Sequence, residues 1–268
     1  MDFFKCNSMM KRLLTSAVFF ALLLLATGTQ AADGGRYYYT IRVYHYATEQ
    51  QGARLDSFLQ KAYLPALHRN GVAKVGVYKP ATADSLGLRT YVFVPYKSLA
   101  QFEKINATLE ADPKFAHDGA GFIDAAYNDA PFSRYETALI QAFANATSPG
   151  MPALTGPKEE RIYELRSYEG PTDGLFANKV QMFNKGDEIG IFSRLGFNAV
   201  FYGSVVAGAH MPNLMYMTSF ENKASRDEHW KAFGSDAYWK KLSADPRYQH
   251  NVSHQDILLL HPTAYSEY

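Results

Sequence analysis

Two arginine–tyrosine pairs are the strongest candidates for chemistry in this chain of 268 residues. Arg42 lies two residues before Tyr44, and Arg166 lies two residues before Tyr168. A guanidinium group in a half-enclosed cavity can bind a carboxylate or another oxyanion through two parallel hydrogen bonds. Neighbouring phenol rings can stack on a flat ligand. These four residues are therefore the predicted ligand-binding residues.

A structural role is the alternative for these arginines. Glu164 and Glu169 lie close to Arg166 in the sequence and could form an ion pair with it. The first pair has only Glu49, beyond the end of its strand, as a nearby carboxylate. Arg42 is therefore the better candidate for a guanidinium group that faces a ligand.

Two groups of histidine and methionine residues have spacings that metal sites also use. His250 and His254 are four residues apart, as two ligands on one helical face would be. That stretch leads into a predicted strand, which favours histidines in a surface loop. His210 precedes Met215 and Met217, a conceivable soft-metal or haem set, but methionine also fills cores. We predict no metal site and no cofactor.

The first 31 residues have the pattern of an export signal. Lys11 and Arg12 precede an apolar run over 13–26, and small residues lead to a cleavage position after Ala31. A short membrane anchor is the alternative, although the run is shorter than a comfortable bilayer span. We expect a cleaved signal peptide and a periplasmic or secreted protein.

Composition and missing motifs exclude several classes of function. The single cysteine, Cys6, lies in the predicted signal peptide, so the mature chain would lack thiol chemistry and disulfides. No glycine-rich phosphate loop and no Gly-x-Ser-x-Gly motif occurs in the sequence. The net charge is +1 without a basic tract, which argues against nucleic-acid binding. Catalytic residues stay unknown, and enzyme activity is left open.

The sequence repeats itself once. Residues 39–44 match 163–168 in a Tyr-x-aliphatic-Arg-x-Tyr pattern, and residues 109–115 match 242–248 around an Asp-Pro pair. A stretch rich in proline and glycine separates the two copies. The predicted organisation is a signal peptide (1–31), a first repeat (36–143), a linker (144–160) and a second repeat (161–268).

Each copy has the pattern β-α-β-β-α-β, which is the ferredoxin-like arrangement of an α+β fold. Gly71 has the position of a residue that ends a helix, and Gly186 and Gly190 predict that the helix over 174–195 is bent or broken. The predicted strands are 37–46, 75–78, 90–94 and 135–143 in the first copy, and 161–168, 199–202, 214–220 and 256–260 in the second.

Period-two alternation separates two faces of the first strand. Tyr39, Ile41 and Val43 share one face, while Arg42 and Tyr44 share the other. An uncovered aliphatic face would expose a large apolar patch. We therefore expect helices to cover the aliphatic face, and we expect the arginines and tyrosines to line the space between two sheets.

The second copy resembles the NIPSNAP family over 161–268, and the first resembles it more loosely over 36–143. His261 and Tyr265 stand where the family commonly has arginine and phenylalanine. The resemblance implies a dimeric α/β-barrel, closed either within one chain or between chains of a homodimer. The motifs that carry it are the Tyr163–Tyr168 strand, Leu195-Gly196, Trp230, Trp239, Asp245-Pro246 and the ending Leu259–Ser266.

The predicted function is an exported NIPSNAP-domain protein of unknown activity. It would bind a small aromatic or anionic ligand, or a protein partner, through the barrel. One alternative, by analogy of fold alone, is a cofactor-independent monooxygenase. The other is a haem-handling protein that uses His210 or His229.

Overall fold

The computed structural model describes residues 35–268, so the predicted signal peptide over 1–31 lies outside the described residues. Residues Arg36–Tyr268 form one compact unit. Within this part of the chain, no helix combines the length and apolar character that a membrane crossing requires.

The first half of this unit contains four strands and four helices. Two of these helices, Glu49–Phe58 and Leu64–Arg69, are joined without a break by a π-helical turn over Leu59–Tyr63. The elements are β1 (Tyr38–Tyr46), α1 (Glu49–Phe58), α2 (Leu64–Arg69), β2 (Gly76–Pro80), β3 (Leu88–Tyr96), α3 (Leu99–Ala111), α4 (Pro113–Ile123) and β4 (Arg134–Ala142).

The second half follows the same order. Its first helical segment is broken around Lys185–Asp187, as the two glycines in this segment predict. The elements are β5 (Ile162–Glu169), α5 (Asp173–Asn184), α6 (Glu188–Arg194), β6 (Asn198–Ala207), β7 (Asn213–Phe220), α7 (Lys223–Ser235), α8 (Ala237–Ser243) and β8 (His254–Pro262).

Helices in the two halves begin with equivalent side-chain caps. The Thr48 side chain accepts a hydrogen bond from the backbone of Gln51 at the start of α1, and Thr172 does the same for Leu175 at the start of α5. Ser98 and Asn222 cap α3 and α7 in the same way. These side chains satisfy backbone N–H groups that a helix leaves unpaired, so each turn from strand to helix is fixed locally.

The eight strands form one closed antiparallel barrel in the order β1-β3-β2-β8-β5-β7-β6-β4. Strand β2 pairs with β8, and β4 pairs with β6. These two seams join the first half to the second, so the barrel closes within a single chain. The predicted α+β class is confirmed, and its sheet is an antiparallel barrel.

The barrel has an aromatic core at one end. Tyr39 lies 5.4 Å from Phe93 and 5.3 Å from Phe201 between ring centroids, and Phe93 stacks on Phe201 at 5.1 Å. Tyr268 packs edge-on against Phe93. Rings from both halves therefore fill this end, and any free space must lie toward the other end.

Candidate functional site

A cavity of about 450 Å³ occupies the barrel end at which β1 and β5 finish. Its wall is mainly aliphatic and its rim is polar. Such a combination suits a small molecule with an apolar body and one polar group. The wall includes Ile41, Val43, Ala138, Leu165, Met215 and Leu258, and the rim includes His45, Arg134, Glu136, His210, His254 and Asp256.

Strand alternation produces this change from wall to rim. In β1 the inward positions run from Tyr39 and Ile41 to Val43, and the next inward position is His45. Strand β4 runs antiparallel to β1 and pairs its first residue, Arg134, with His45. The inward face of each strand is thus apolar in the middle of the barrel and polar at its open end.

His45 is the histidine of the first half at this rim. Its Nε2 lies 3.4 Å from Glu136 Oε1, but no hydrogen bond forms there, and its Nδ1 lies 3.5 Å from a guanidinium nitrogen of Arg134. Burial is the main cause that lowers the pKa of His45, and Arg134 and Arg89 lower it further against the opposing effect of Glu136. The imidazole is therefore neutral near pH 7.

The Arg134 contact assigns roles to the two ring nitrogens. A guanidinium group only donates hydrogen bonds, so Nδ1 of His45 accepts from it. In the neutral ring, Nε2 then carries the proton. His45 thus lines the cavity with an Nε2–H group that is buried and has no hydrogen-bond partner within the protein.

Arg89 is occupied by protein groups. Its guanidinium donates to both carboxylate oxygens of Asp84, at 2.8 and 2.7 Å, and to the hydroxyl of Tyr91 at 2.9 Å. The hydrogen bonds from Arg89 lower the pKa of Asp84 to about 2. This ion pair holds the loop between β2 and β3, whose Leu86 side chain lines the cavity. Arg89 therefore helps to shape the rim, but few of its N–H groups remain free to bind a ligand.

The predicted placement of Arg42, Tyr44, Arg166 and Tyr168 is wrong. These side chains lie on the outer face of the barrel, under the helices, while Tyr39 and Ile41 belong to the inner core. The prediction assumed that helices must cover the aliphatic face. The interior of a closed barrel excludes water more completely than its outer surface does, so the aliphatic face points inward. The arginine–tyrosine face then points outward, where aromatic residues of the helices cover it.

Arg42 forms two hydrogen bonds on this outer face. It donates to Thr137 Oγ1 at 3.2 Å and to the Tyr44 hydroxyl at 3.4 Å, and it lies 4.7 Å from the ring centre of Tyr135. Tyr44 also packs edge-on against Phe122 of α4. Ligand binding by the four predicted residues stays a prediction, and the cavity brings other residues together.

Arg166 belongs to a buried charge network between β5 and α7. Its Nε donates to Glu164 Oε1 at 2.6 Å, and its guanidinium lies 3.7 Å from the ring centre of Trp230. Glu164 is fully buried and also accepts hydrogen bonds from Arg226 and from the Trp230 indole. Arg166 therefore forms an ion pair with Glu164, as the structural alternative in the sequence analysis proposed.

The fold places the remaining histidine and methionine candidates differently: His250 and Met217 lie away from the cavity, whereas His210, Met215 and His254 line it. His250 lies in a turn with positive φ, whereas His254 begins β8, so the two do not share a helical face. Met217 is fully buried in the inner core, as predicted for core filling. His210 lies at the rim, where its Nδ1 is 3.1 Å from Glu169 Oε1.

Sequence reasoning missed His45, Arg134 and Glu136. The signal was present, because the alternation that placed Tyr39, Ile41 and Val43 on one face continues to His45. Arg134 and Glu136 are two residues apart at the start of β4 and share a face in the same way. Their approach to His45 depends on the β1–β4 register, which local sequence does not specify.

Comparisons with known proteins agree with this architecture. Two bacterial structures, each named a "putative monooxygenase", have a TM-score of 0.56 with this chain and cover 85% of it. The protein from Lactobacillus acidophilus NCFM is 10% identical and 94% of its length is covered, and the protein from Fusobacterium nucleatum is 9% identical with 93% covered. At this level of identity, the likeness concerns the fold alone. No curated protein matches the chain.

The family resemblance is confirmed for the second half by a family model alone. A NIPSNAP family protein from Agrobacterium tumefaciens is 20% identical, covers 44% of this chain with 97% of its own length, and has a TM-score of 0.36. The NIPSNAP family model matches residues 163–267, which include β5 to β8 and the helices between them. This chain therefore carries a NIPSNAP domain in its second half.

Proposed function

We propose that the protein binds a small molecule with an aromatic or aliphatic body and a carboxylate or carbonyl group in the barrel cavity. The carrying observation is the cavity of about 450 Å³, closed by aromatic rings at one end and polar at the other. Apolar pockets with a few convergent polar groups are the usual form of small-ligand sites. The aliphatic wall would surround the body of the ligand, and the rim would hold its polar group.

The rim favours a hydrogen-bond acceptor on the ligand. His45 has an Nε2–H group without a partner in the protein, and Arg134 is an exposed cation beside it. Charge-assisted hydrogen bonds to a carboxylate are about twice as strong as neutral ones. An aromatic acid should therefore bind more tightly than the alcohol of the same shape.

Calorimetry with 1-naphthoate and 1-naphthalenemethanol tests this proposal. We expect saturable binding of the acid at one site and at least about tenfold weaker binding of the alcohol, the loss of one charged contact. Ala138→Trp fills the cavity from β4 and should abolish binding, whereas Ala100→Trp, on the exposed surface of α3, should not. Equal binding by both variants would contradict a cavity site.

A second candidate function is a cofactor-independent oxygenase. The two similar folds named for monooxygenase activity, together with the enclosed cavity, support testing it. Oxygen consumption with a dihydroxynaphthalene, abolished by Ala138→Trp and kept by Ala100→Trp, would favour this activity. A haem-handling function would instead require Soret absorption by haem-reconstituted protein that His210→Ala or His229→Ala removes.

We also propose that the protein is exported and that its halves are tandem ferredoxin-like repeats. The residue pattern of 1–31 supports export, and the shared strand order and equivalent helix caps support duplication. N-terminal sequencing of protein recovered outside the cytoplasm should begin near Ala32. An intact N-terminus on cytoplasmic protein would contradict export.

A further inference from the structure

Four potential metal ligands meet at the cavity rim in the second half. Glu169 is the last residue of β5 and pairs directly with His254, the first residue of β8. Asp256 lies two residues further along β8 on the same face. His210, in the connection between β6 and β7, contacts Glu169. The antiparallel register thus brings together side chains that are distant in the sequence.

The distances suit a single ion. One ligand atom from each of Glu169, His254 and Asp256 can be chosen so that all lie within 4.8 Å of one another. His210 Nδ1 is 3.1 Å from Glu169 Oε1, and His254 Nε2 is 3.3 Å from Asp256 Oδ1. Ligands about 2.1 Å from a tetrahedral ion are about 3.4 Å apart. Glu169, His254 and Asp256 are thus within reach of one ion, and rotation of the exposed His210 side chain beside Glu169 would add a fourth ligand.

The equivalent rim of the first half already contains a fixed cation. There, Arg134 occupies the place of His254, Glu136 that of Asp256, and His45 that of Glu169. Arg134 Nε donates to Glu136 Oε1 at 3.1 Å, so this carboxylate is neutralised by an arginine.

The second half lacks that arginine and gains a carboxylate. Within residues 35–268, the ion pairs of Glu169 and Asp256 are formed with His210 and His254 alone. Two carboxylates in one small site repel each other, and a cation bound between them removes that repulsion. The site therefore combines excess negative charge with two nitrogen ligands.

We propose that Glu169, His210, His254 and Asp256 bind one divalent transition-metal ion of the Zn²⁺ or Co²⁺ type. Imidazole ligands favour such ions over Mg²⁺ and Ca²⁺, which prefer sites made of oxygen atoms. The sequence alone predicted no metal, because the four residues come from three separate segments. This proposal does not depend on the organic ligand proposed above, although both sites share one rim.

Co²⁺ titration of the full-length chain, made without a histidine tag and treated with EDTA, tests the site directly. We expect one equivalent of Co²⁺ to produce d–d absorption in the visible range and Zn²⁺ to displace it. His254→Ala and Asp256→Asn should each weaken binding at least about tenfold, because even the loss of a group that only orients a ligand costs about 10- to 100-fold. Equilibrium dialysis with Zn²⁺ gives an independent measure of the same affinity.

Matched variants separate this site from adventitious binding. His117→Ala removes an exposed histidine that contacts Asp118, and it should leave the affinity unchanged. His254→Arg copies the first half at the equivalent position and should abolish metal binding while the circular dichroism spectrum stays native. Absence of saturable binding, or equal affinity in wild type, His254→Ala and His254→Arg, would overturn the proposal.

Discussion

Glu164 is a carboxylic acid without solvent access, and its hydrogen-bond and charge partners decide whether it is ionised in the folded protein. Burial alone would raise its pKa, but hydrogen bonds from Arg226 and the charge of Arg166 hold the pKa below its usual range. The carboxylate therefore stays ionised in the folded protein. Removing one partner of such a buried charge is strongly destabilising, because the remaining charge is left uncompensated.

Glu164→Gln should destabilise the protein by about 3 kcal/mol, because it leaves two guanidinium groups against a neutral amide. Chemical denaturation measures this loss. Asp227→Asn is the matched control, since Asp227 contacts the same Arg226 from the solvent side, and we expect its denaturation midpoint to stay near that of wild type. Similar losses of stability in both variants would mean that the buried ion pairs of Glu164 contribute no more to stability than the exposed pair of Asp227.

The same network predicts how stability depends on pH. A carboxylate with a lowered folded-state pKa stabilises the fold above its unfolded pKa, and this contribution disappears as the pH falls through the folded value. The stability difference between wild type and Glu164→Gln should therefore shrink below about pH 4. A difference that stays constant from neutral pH down to acid unfolding would mean that folding does not lower the pKa of Glu164.

His45 should titrate below the ordinary range for histidine. Burial and the neighbouring arginines lower its pKa, while Glu136 raises it. Arg134→Gln should therefore move the pKa of His45 upward, and Glu136→Gln should move it downward. NMR titration of the imidazole signals measures all three proteins. Shifts in the reverse directions would contradict the rim geometry described for His45.

At the level of single residues, sequence alone predicted chemistry poorly. Arg42 and Arg166 were recognised as unusual, but their face of the barrel was assigned incorrectly. Which face of a strand points inward depends on whether the sheet is open or closed, and period-two alternation is the same in both cases. His45 and Glu169 gain their roles from partners across the sheet, and local sequence does not specify those pairings.

At the level of elements, sequence was a much better guide. Each predicted strand overlaps an observed one, because alternation and turn residues are local properties. The break at Lys185–Asp187 was predicted from two glycines. The positive φ of Gly71 was also expected from its position after a helix, and Gly196 has a positive φ at the end of α6.

Gly71 provides the test at this scale. Its N–H donates to the His68 carbonyl, and the next N–H donates to the Leu67 carbonyl, which ends α2 with φ at +82°. A side chain at Gly71 would meet nothing closer than 3.8 Å, so only the backbone conformation opposes it. Gly71→Val should cost about 1–2 kcal/mol. Gly71→Asn should cost less, because asparagine tolerates this conformation, and equal costs would point to a cause other than φ.

At the level of the whole molecule, the two halves share one interior. The inner core contains Tyr39 and Phe93 from the first half and Tyr163 and Phe201 from the second. The seams β2–β8 and β4–β6 add backbone hydrogen bonds across the same boundary. Separating the halves would open the barrel along both seams and expose this core, so neither half should unfold alone.

This coupling can be measured because both tryptophans, Trp230 and Trp239, belong to the second half. Their fluorescence reports on that half, whereas far-ultraviolet circular dichroism reports on both. In a cooperative unit the two signals follow one transition. Gly71→Val changes only the first half, yet it should lower the denaturation midpoint of the tryptophan signal as much as that of the circular dichroism signal. If the halves were independent domains, the fluorescence midpoint would stay at its wild-type value while the circular dichroism transition split into two.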